Sequence, residues 1–97
     1  MPYAFSYDVP ATEQMYRAVK NLIGDAPAKG RVVHAVVEVE GALRHIEIWD
    51  SKEDWDRFQT ERVEPAVHAV LIAAGFTQMP PDPQTTELVL VDVVTGS

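Results

Sequence analysis

Three ionisable side chains, His34, His45 and Glu47, lie on two adjacent strand-like segments of this 97-residue chain. A carboxylate beside an imidazole raises the pKa of the ring, holds one tautomer and leaves the second nitrogen free to accept a proton. We therefore predict that these three residues form a catalytic acid/base cluster. A structural role, as polar groups at a subunit interface or on a hydrated cavity wall, is the alternative interpretation. The trio also has the composition of a two-histidine, one-carboxylate metal site, but no spacing demands an ion, so neither a metal nor a cofactor is predicted.

Four further side chains are candidate substrate contacts. Trp49 ends a strand-like segment and can stack on a planar ligand, and Tyr7 alternates with small residues on the first such segment. The alternative roles are structural. A Trp at this position can seal the rim of a barrel, and His68, at the flank of the apolar stripe of the last predicted helix, is in a position where a surface histidine is common. The predicted contacts are Trp49, Val36, Tyr7 and His68.

The elements that must position these residues follow from turn, cap and periodicity signals. Thr12 is a plausible N-cap for an amphipathic helix over 13–23, and Ser51 caps the next helix. Pro65 interrupts that second helix, and the apolar positions after it turn well away from the face of Trp55 and Phe58, so two helical pieces are predicted. The predicted strands cover residues 3–8, 31–40, 42–49 and 87–94, and the predicted helices cover 13–23, 51–62 and 65–74.

This order predicts an α+β, ferredoxin-like βαββαβ domain spanning residues 1–97. Its four-stranded antiparallel sheet carries the helices on one face and leaves the other face uncovered.

A two-residue turn at Glu40-Gly41 pairs residues whose numbers sum to 81 and separates the hairpin into two sides. One side is nearly all apolar, and we predict that it packs against the helices. The other side is half apolar and half ionisable, which suits a homodimer whose two sheets meet around a small cavity. The predicted uncovered side contains Val32, His34, Val36, Glu38, Leu43, His45, Glu47 and Trp49.

Composition excludes several classes of partner. Eight Lys and Arg against fifteen Asp and Glu give a formal net charge of −7, which repels nucleic acid and anionic lipid. The chain has no cysteine, and no apolar run has the length of a membrane span. A cytoplasmic protein that binds neither nucleic acid nor membrane is predicted.

The segment IWDSKEDWDRF at 48–58, in which a strand ends in an aromatic residue before a Ser-capped acidic turn, resembles the dimeric α/β-barrel superfamily. That superfamily includes antibiotic-biosynthesis-monooxygenase-like proteins and small barrel proteins of unassigned activity. The resemblance implies a homodimer and a small-molecule enzyme similar to cofactor-free monooxygenases or polyketide cyclases. Such an enzyme would act on a planar aromatic or polyketide-like substrate in a barrel cavity, between the sheet and the helices. His34 or His45 would be the base, Glu47 would orient it and Trp49 would stack on the ring.

Two other interpretations accompany this resemblance. The haem-degrading branch uses an Asn, a Trp and a His, but the first strand here has no Asn and Phe58 stands at the Trp position, so haem cleavage is not predicted. The alternative function is a non-catalytic small-molecule-binding or dimer-scaffold protein, in which the polar face sets the dimer register.

Overall fold

A computed structural model describes residues 2–78 and 83–94. The chain forms a four-stranded antiparallel sheet in the order β2-β3-β1-β4, with its helices on one face. This confirms the predicted ferredoxin-like α+β fold. In chain order the elements are β1 (Tyr3–Val9), α1 (Glu13–Ile23), β2 (Arg31–Val39), β3 (Ala42–Trp49), α2 (Lys52–Phe58), a π-helical turn (Gln59–Val63), α3 (Glu64–Ala73) and β4 (Thr86–Leu88).

The two helix N-caps and the hairpin turn lie where the sequence predicts them. The Thr12 side chain accepts a hydrogen bond from the Met15 amide, and that of Ser51 accepts one from the Asp54 amide. Glu40 and Gly41 both have positive φ, 48° and 82°, as a two-residue type I′ hairpin turn requires.

The hairpin register is the predicted one from Val39↔Ala42 to Val33↔Ile48. It is interrupted beyond that point, where Arg31 instead of Val32 pairs with Trp49 across an irregularity. A bulge of this kind adds one residue to one strand and re-aims the side chains around it.

The predicted covered and uncovered faces are reversed. The core consists of Phe5, Trp49, Trp55 and Phe58, so the odd-numbered residues of β1 and β3 face the helices. The polar side of the hairpin therefore lies under the helices, and the nearly all-apolar side is the uncovered one. Its apolar members are Ala4, Val33, Ala35, Val37, Val39, Ala42, Ile46 and Ile48, which we call the open face.

The second helical region is continuous and has no break at Pro65. A π-helical turn directly precedes that residue, and the Glu64 amide donates to the Gln59 carbonyl five residues earlier. The wider turn changes the helix face, so Trp55 and Phe58 on α2 and Ala66 and Leu71 on α3 are all buried. The prediction that one regular α-helix cannot bury the apolar residues on both sides of Pro65 is confirmed. The predicted break between two separate helices is wrong, because the π-helical turn joins them.

The last strand is much shorter than predicted. β4 pairs with β1 at three positions, from Ala4↔Leu88 to Ser6↔Thr86. In this antiparallel register Val89 would lie opposite Tyr3, the first residue of β1, and the residues after Val89 run past the end of that strand. Val89 and Val91 are accordingly 91% and 92% exposed. None of the helices in the described segments combines the length and apolar character needed to cross a membrane.

Candidate functional site

The three predicted catalytic residues meet beneath the helices, at the centre of the β2–β3 hairpin. His34 lies directly opposite Glu47, and His45 lies between Val36 on β2 and Tyr7 on β1. One ligand-type atom from each of His34, His45 and Glu47 falls within 4.8 Å of the other two. The cross-strand register predicted from the sequence therefore brings the trio together, although on the opposite layer of the molecule from the one expected.

The two imidazoles are in direct contact. His34 Nε2 and His45 Nδ1 are 3.2 Å apart, a hydrogen bond in which one nitrogen carries the proton and the other accepts it. The His45 ring stacks on Tyr7, with centroids 4.6 Å apart and planes 11° from parallel. The ring of Tyr16, from α1, packs edge-on against His45, with 5.7 Å between the two centroids. The rings of Tyr7, Tyr16 and His34 therefore all pack against His45.

Both histidines are less basic than a free imidazole. Burial lowers the pKa of His45 to about 4. Partial burial lowers the pKa of His34, and the neighbouring His45 and Arg31 lower it further, because a second positive charge there is repelled. At neutral pH the pair is therefore uncharged; one ring lone pair accepts the hydrogen bond between the two rings, and the other is available for a proton.

Glu47 does not hydrogen-bond to either histidine, unlike the predicted arrangement. It is 2% exposed, and its two carboxylate oxygens accept from the Tyr7 hydroxyl and the Trp49 indole N–H, each at 3.0 Å. Burial raises the pKa of Glu47, while the two hydrogen bonds oppose that rise. Burial and the adjacent carboxylate also raise the pKa of Tyr7, which keeps its hydroxyl protonated as a donor.

A cleft of about 150 Å³ opens beside the histidines, between α1 and the hairpin. None of His34, His45 and Glu47 is among its lining residues; the connection runs through Val36, the strand partner of His45, and through Tyr16, whose ring lies edge-on to both histidine rings. The lining residues are Glu13, Tyr16, Arg17, Val36, Glu38 and Leu43.

The predicted substrate contacts divide into two groups. Val36 lines this cleft and Tyr7 stacks on His45. Trp49 is fully buried against Trp55 and Phe58, so its ring offers no face to a ligand and its N–H serves Glu47 instead. His68 is an exposed residue of α3 outside the three-residue cluster.

Two residues of this region were not predicted from the sequence. Tyr16 belongs to the apolar stripe of α1, and an aromatic residue in such a stripe looks like ordinary core. Arg31 places its guanidinium 4.8 Å from the Phe58 ring centroid and 5.7 Å from that of Trp49. Its charge acts on both His34 and Glu47. The bulge that turns Arg31 toward these rings had no signal in the hydrophobic pattern.

Comparisons with known proteins agree on the architecture. No family model and no curated protein matches the sequence. Rv0793 from Mycobacterium tuberculosis superposes with a TM-score of 0.59 over 98% of this chain and 100% of its own, at 16% identity. A candidate antibiotic biosynthesis monooxygenase from Chloroflexus aurantiacus superposes with a TM-score of 0.57 over 96% of this chain and 98% of its own, at 17% identity. The chain has the fold of these two proteins. The predicted resemblance to the antibiotic-biosynthesis-monooxygenase-like group is thus confirmed at the level of fold.

Proposed function

We propose that this protein is a small-molecule enzyme similar to cofactor-free monooxygenases or polyketide cyclases, acting on a planar phenolic or enolic substrate between the sheet and the helices. The observation that carries the proposal is the uncharged His34–His45 pair, in which His45 packs against Tyr7 and Tyr16 beside a cleft and His34 is exposed. An imidazole with a free lone pair is the commonest biological base for a hydroxyl proton.

In this proposal the residues have distinct roles. His45 or His34 accepts the substrate hydroxyl proton, and the other imidazole shares it through the 3.2 Å contact. Tyr7 fixes the plane of His45 by stacking, and Glu47 fixes Tyr7 through its hydroxyl, so Glu47 orients the base indirectly. In the monooxygenase case the substrate anion reduces O₂, so that one oxygen atom forms a new C–O bond, the other leaves as water, and the phenol is oxidised to a quinone. In the cyclase case the anion forms a C–C bond to a carbonyl carbon of the same molecule, and the carbonyl oxygen takes up the proton held by the histidine pair.

The size of the cleft narrows the substrate class. An apolar cavity of about 150 Å³ accommodates a molecule the size of benzene, and the cleft measures about 150 Å³. The lining of this cleft includes the charged residues Glu13, Arg17 and Glu38, so it is not such an apolar cavity, and its volume limits the substrate to about a single ring unless α1 moves away from the hairpin.

The test is turnover without any added cofactor. Purified protein is offered a panel of phenols and hydroquinones, together with naphthols and anthrones that would require α1 to move, while O₂ uptake and product absorbance are followed. We expect His45→Ala or His34→Ala to lower kcat by about 10²-fold or more, the usual contribution of a general base. Asn21→Ala, an exposed change on the same helix as Tyr16, should leave the rate unchanged. If no compound of the panel is turned over or raises Tm, the scaffold function replaces this one.

We also propose that the protein is a homodimer, formed through the open face. Monomeric proteins rarely expose apolar patches larger than a few hundred Å². Two copies related by a two-fold axis can cover each other's open face, and this interface is closed, so no further copy can add to it. Ile46 lies in the middle of this face, between Ser6 and Ala35. The Arg44–Asp8 ion pair, at 2.8 Å, lies on the same side toward the hairpin end.

Sedimentation velocity of Ile46→Lys tests the dimer. The lysine would bury a charge in the apolar contact, so this variant should sediment as a monomer. Leu22→Lys, on a residue that is 59% exposed on α1, is the matched control and should stay dimeric. A wild-type protein that sediments as a monomer contradicts the proposal.

A further inference from the structure

We propose that His34, His45 and Glu47 form a binding site for one divalent transition-metal ion, with Zn²⁺ as the representative. The inference goes beyond the proposed reaction and does not rest on it, because it concerns the protein alone, without substrate.

The separation of the two imidazole nitrogens suits a shared ion. Metal–nitrogen bonds of about 2.0–2.1 Å place two neighbouring ligand nitrogens about 3.0 Å apart at a right angle and about 3.4 Å apart at a tetrahedral angle. His34 Nε2 and His45 Nδ1 are 3.2 Å apart, which falls between these two values. An ion would replace the proton that the two nitrogens share, and each ring would carry its proton on the remaining nitrogen.

The buried carboxylate supplies the third ligand and a separate reason to expect a cation. Glu47 is 2% exposed, yet within residues 2–78 and 83–94 its carboxylate makes no ion pair with a basic side chain. Buried charges in proteins are generally paired with an opposite charge or coordinate a metal. Arg31 acts on Glu47 only from beyond ion-pair distance, and an ion held by the two imidazoles would provide a counter-charge in direct contact.

Glu47 also has the capacity to bind the ion without losing its present partners. Each carboxylate oxygen has two acceptor positions, and each accepts one hydrogen bond here, from Tyr7 or from Trp49. Donors of this kind fix the orientation of a ligating carboxylate in metal sites. Ligand atoms on one ion lie about 3.4 Å apart at tetrahedral angles, so the three atoms, which lie within 4.8 Å of one another, have to approach by up to about 1.4 Å. The exposed His34 side chain has room for that shift.

The donor set selects the class of ion. Two imidazoles favour Zn²⁺, Cu²⁺, Ni²⁺ or Fe²⁺ over Mg²⁺ and Ca²⁺, which prefer oxygen ligands. Three protein ligands also leave at least one position open for water or a ligand. Because a bound ion uses the same lone pairs that accept a proton in the proposed reaction, its binding would suppress that base.

The experiment is a titration of chelator-treated, tag-free protein with Co²⁺ and with Zn²⁺. Calorimetry should report one ion per chain, and the visible Co²⁺ bands should show a site of low coordination number. We expect His34→Ala, His45→Ala and Glu47→Gln each to weaken binding by more than about 10-fold, the loss caused by removing even an outer-shell partner. The change at Glu47 keeps the side-chain shape, with the Gln oxygen accepting from Trp49 and its amide donating to Tyr7.

His68→Ala is the matched control, because it removes the one imidazole outside the cluster and should leave both affinity and stoichiometry unchanged. Two results would overturn the inference: equal losses of metal affinity in His68→Ala and in the cluster variants, or no saturable metal binding to wild-type protein that a thermal melt shows to be folded. Turnover is assayed separately on the metal-free protein. A failure of metal binding therefore leaves the proposed reaction standing, and a failure of turnover leaves the metal site standing.

Discussion

Replacing Tyr7 by Phe measures what the buried carboxylate of Glu47 gains from its hydrogen bonds. The change removes one hydroxyl, the donor 3.0 Å from Glu47 Oε2, and keeps the ring that stacks on His45. No cavity is made, so the cost comes from leaving a buried carboxylate with the single donor Trp49. A hydrogen bond to a charged group contributes about 1.5–3 kcal/mol, against about 0.5–1.5 kcal/mol for a neutral pair.

We therefore expect Tyr7→Phe to lower the free energy of unfolding by about 1.5–3 kcal/mol at pH 7. For a domain of this size each kcal/mol corresponds to about 4–8 °C in Tm, which gives a decrease of roughly 6–24 °C. The assay is urea unfolding followed by tryptophan fluorescence, with thermal melts at one fixed protein concentration. Tyr3→Phe is the matched control, since Tyr3 lies on the same strand and its hydroxyl makes no hydrogen bond to the described residues. It should change stability by less than about 0.5 kcal/mol.

The pH dependence of this difference has a definite sign. The Tyr7 hydrogen bond opposes the rise in the pKa of Glu47, so its contribution is present above that pKa and decreases as the pH falls through it. The gap between wild type and Tyr7→Phe should therefore narrow on acidification. Equal stabilities of Tyr7→Phe and Tyr3→Phe at pH 7 would refute the view that a charged, hydrogen-bonded carboxylate lies in this core.

Two further predictions concern the frame around the site. Arg62 donates to three carbonyl oxygens at the end of α1 and the loop after it, at 2.9–3.3 Å. Arg62→Lys should therefore lower the free energy of unfolding in urea by about 1–2 kcal/mol, because an ammonium group cannot reproduce the guanidinium fork. The control Arg57→Lys, at a surface ion pair, should lower it by less than about 0.5 kcal/mol. Equal losses would contradict the role of Arg62 in holding the end of α1. Gly30 and Gly24 both have positive φ, 88° and 81°, but a Cβ at Gly30 would lie 2.7 Å from the Asp54 Cβ whereas one at Gly24 meets nothing within 4 Å. Gly30→Ala should thus lower Tm further than Gly24→Ala, by an amount equivalent to about 1–3 kcal/mol, and equal decreases would show that Asp54 moves aside at no cost.

Local patterns predicted much of this molecule because local interactions decide them. The caps at Thr12 and Ser51 need only residues three positions away, and the Glu40-Gly41 turn sets the hairpin register by itself. That register is enough to place His34 opposite Glu47 and to bring His45 next to them. The bulge escaped prediction because β2 begins at Arg31, so the stretch beyond the extra residue is too short for a shift in the hydrophobic alternation to show.

The sequence by itself therefore determined the order of elements, the ferredoxin-like class and the membership of the ionisable cluster. Only the tertiary structure decided which side of the sheet the helices cover. Counting apolar residues favours the Val33–Ile48 side as the core, but the chain crosses between strands with a fixed hand, and Trp55 and Phe58 pack on Phe5 and Trp49 instead. An apolar sheet face can stay open in one chain if a second copy covers it, so a pattern within one chain does not distinguish a core face from an interface. The same choice of side is what buries Glu47 and gives the histidine pair its chemistry.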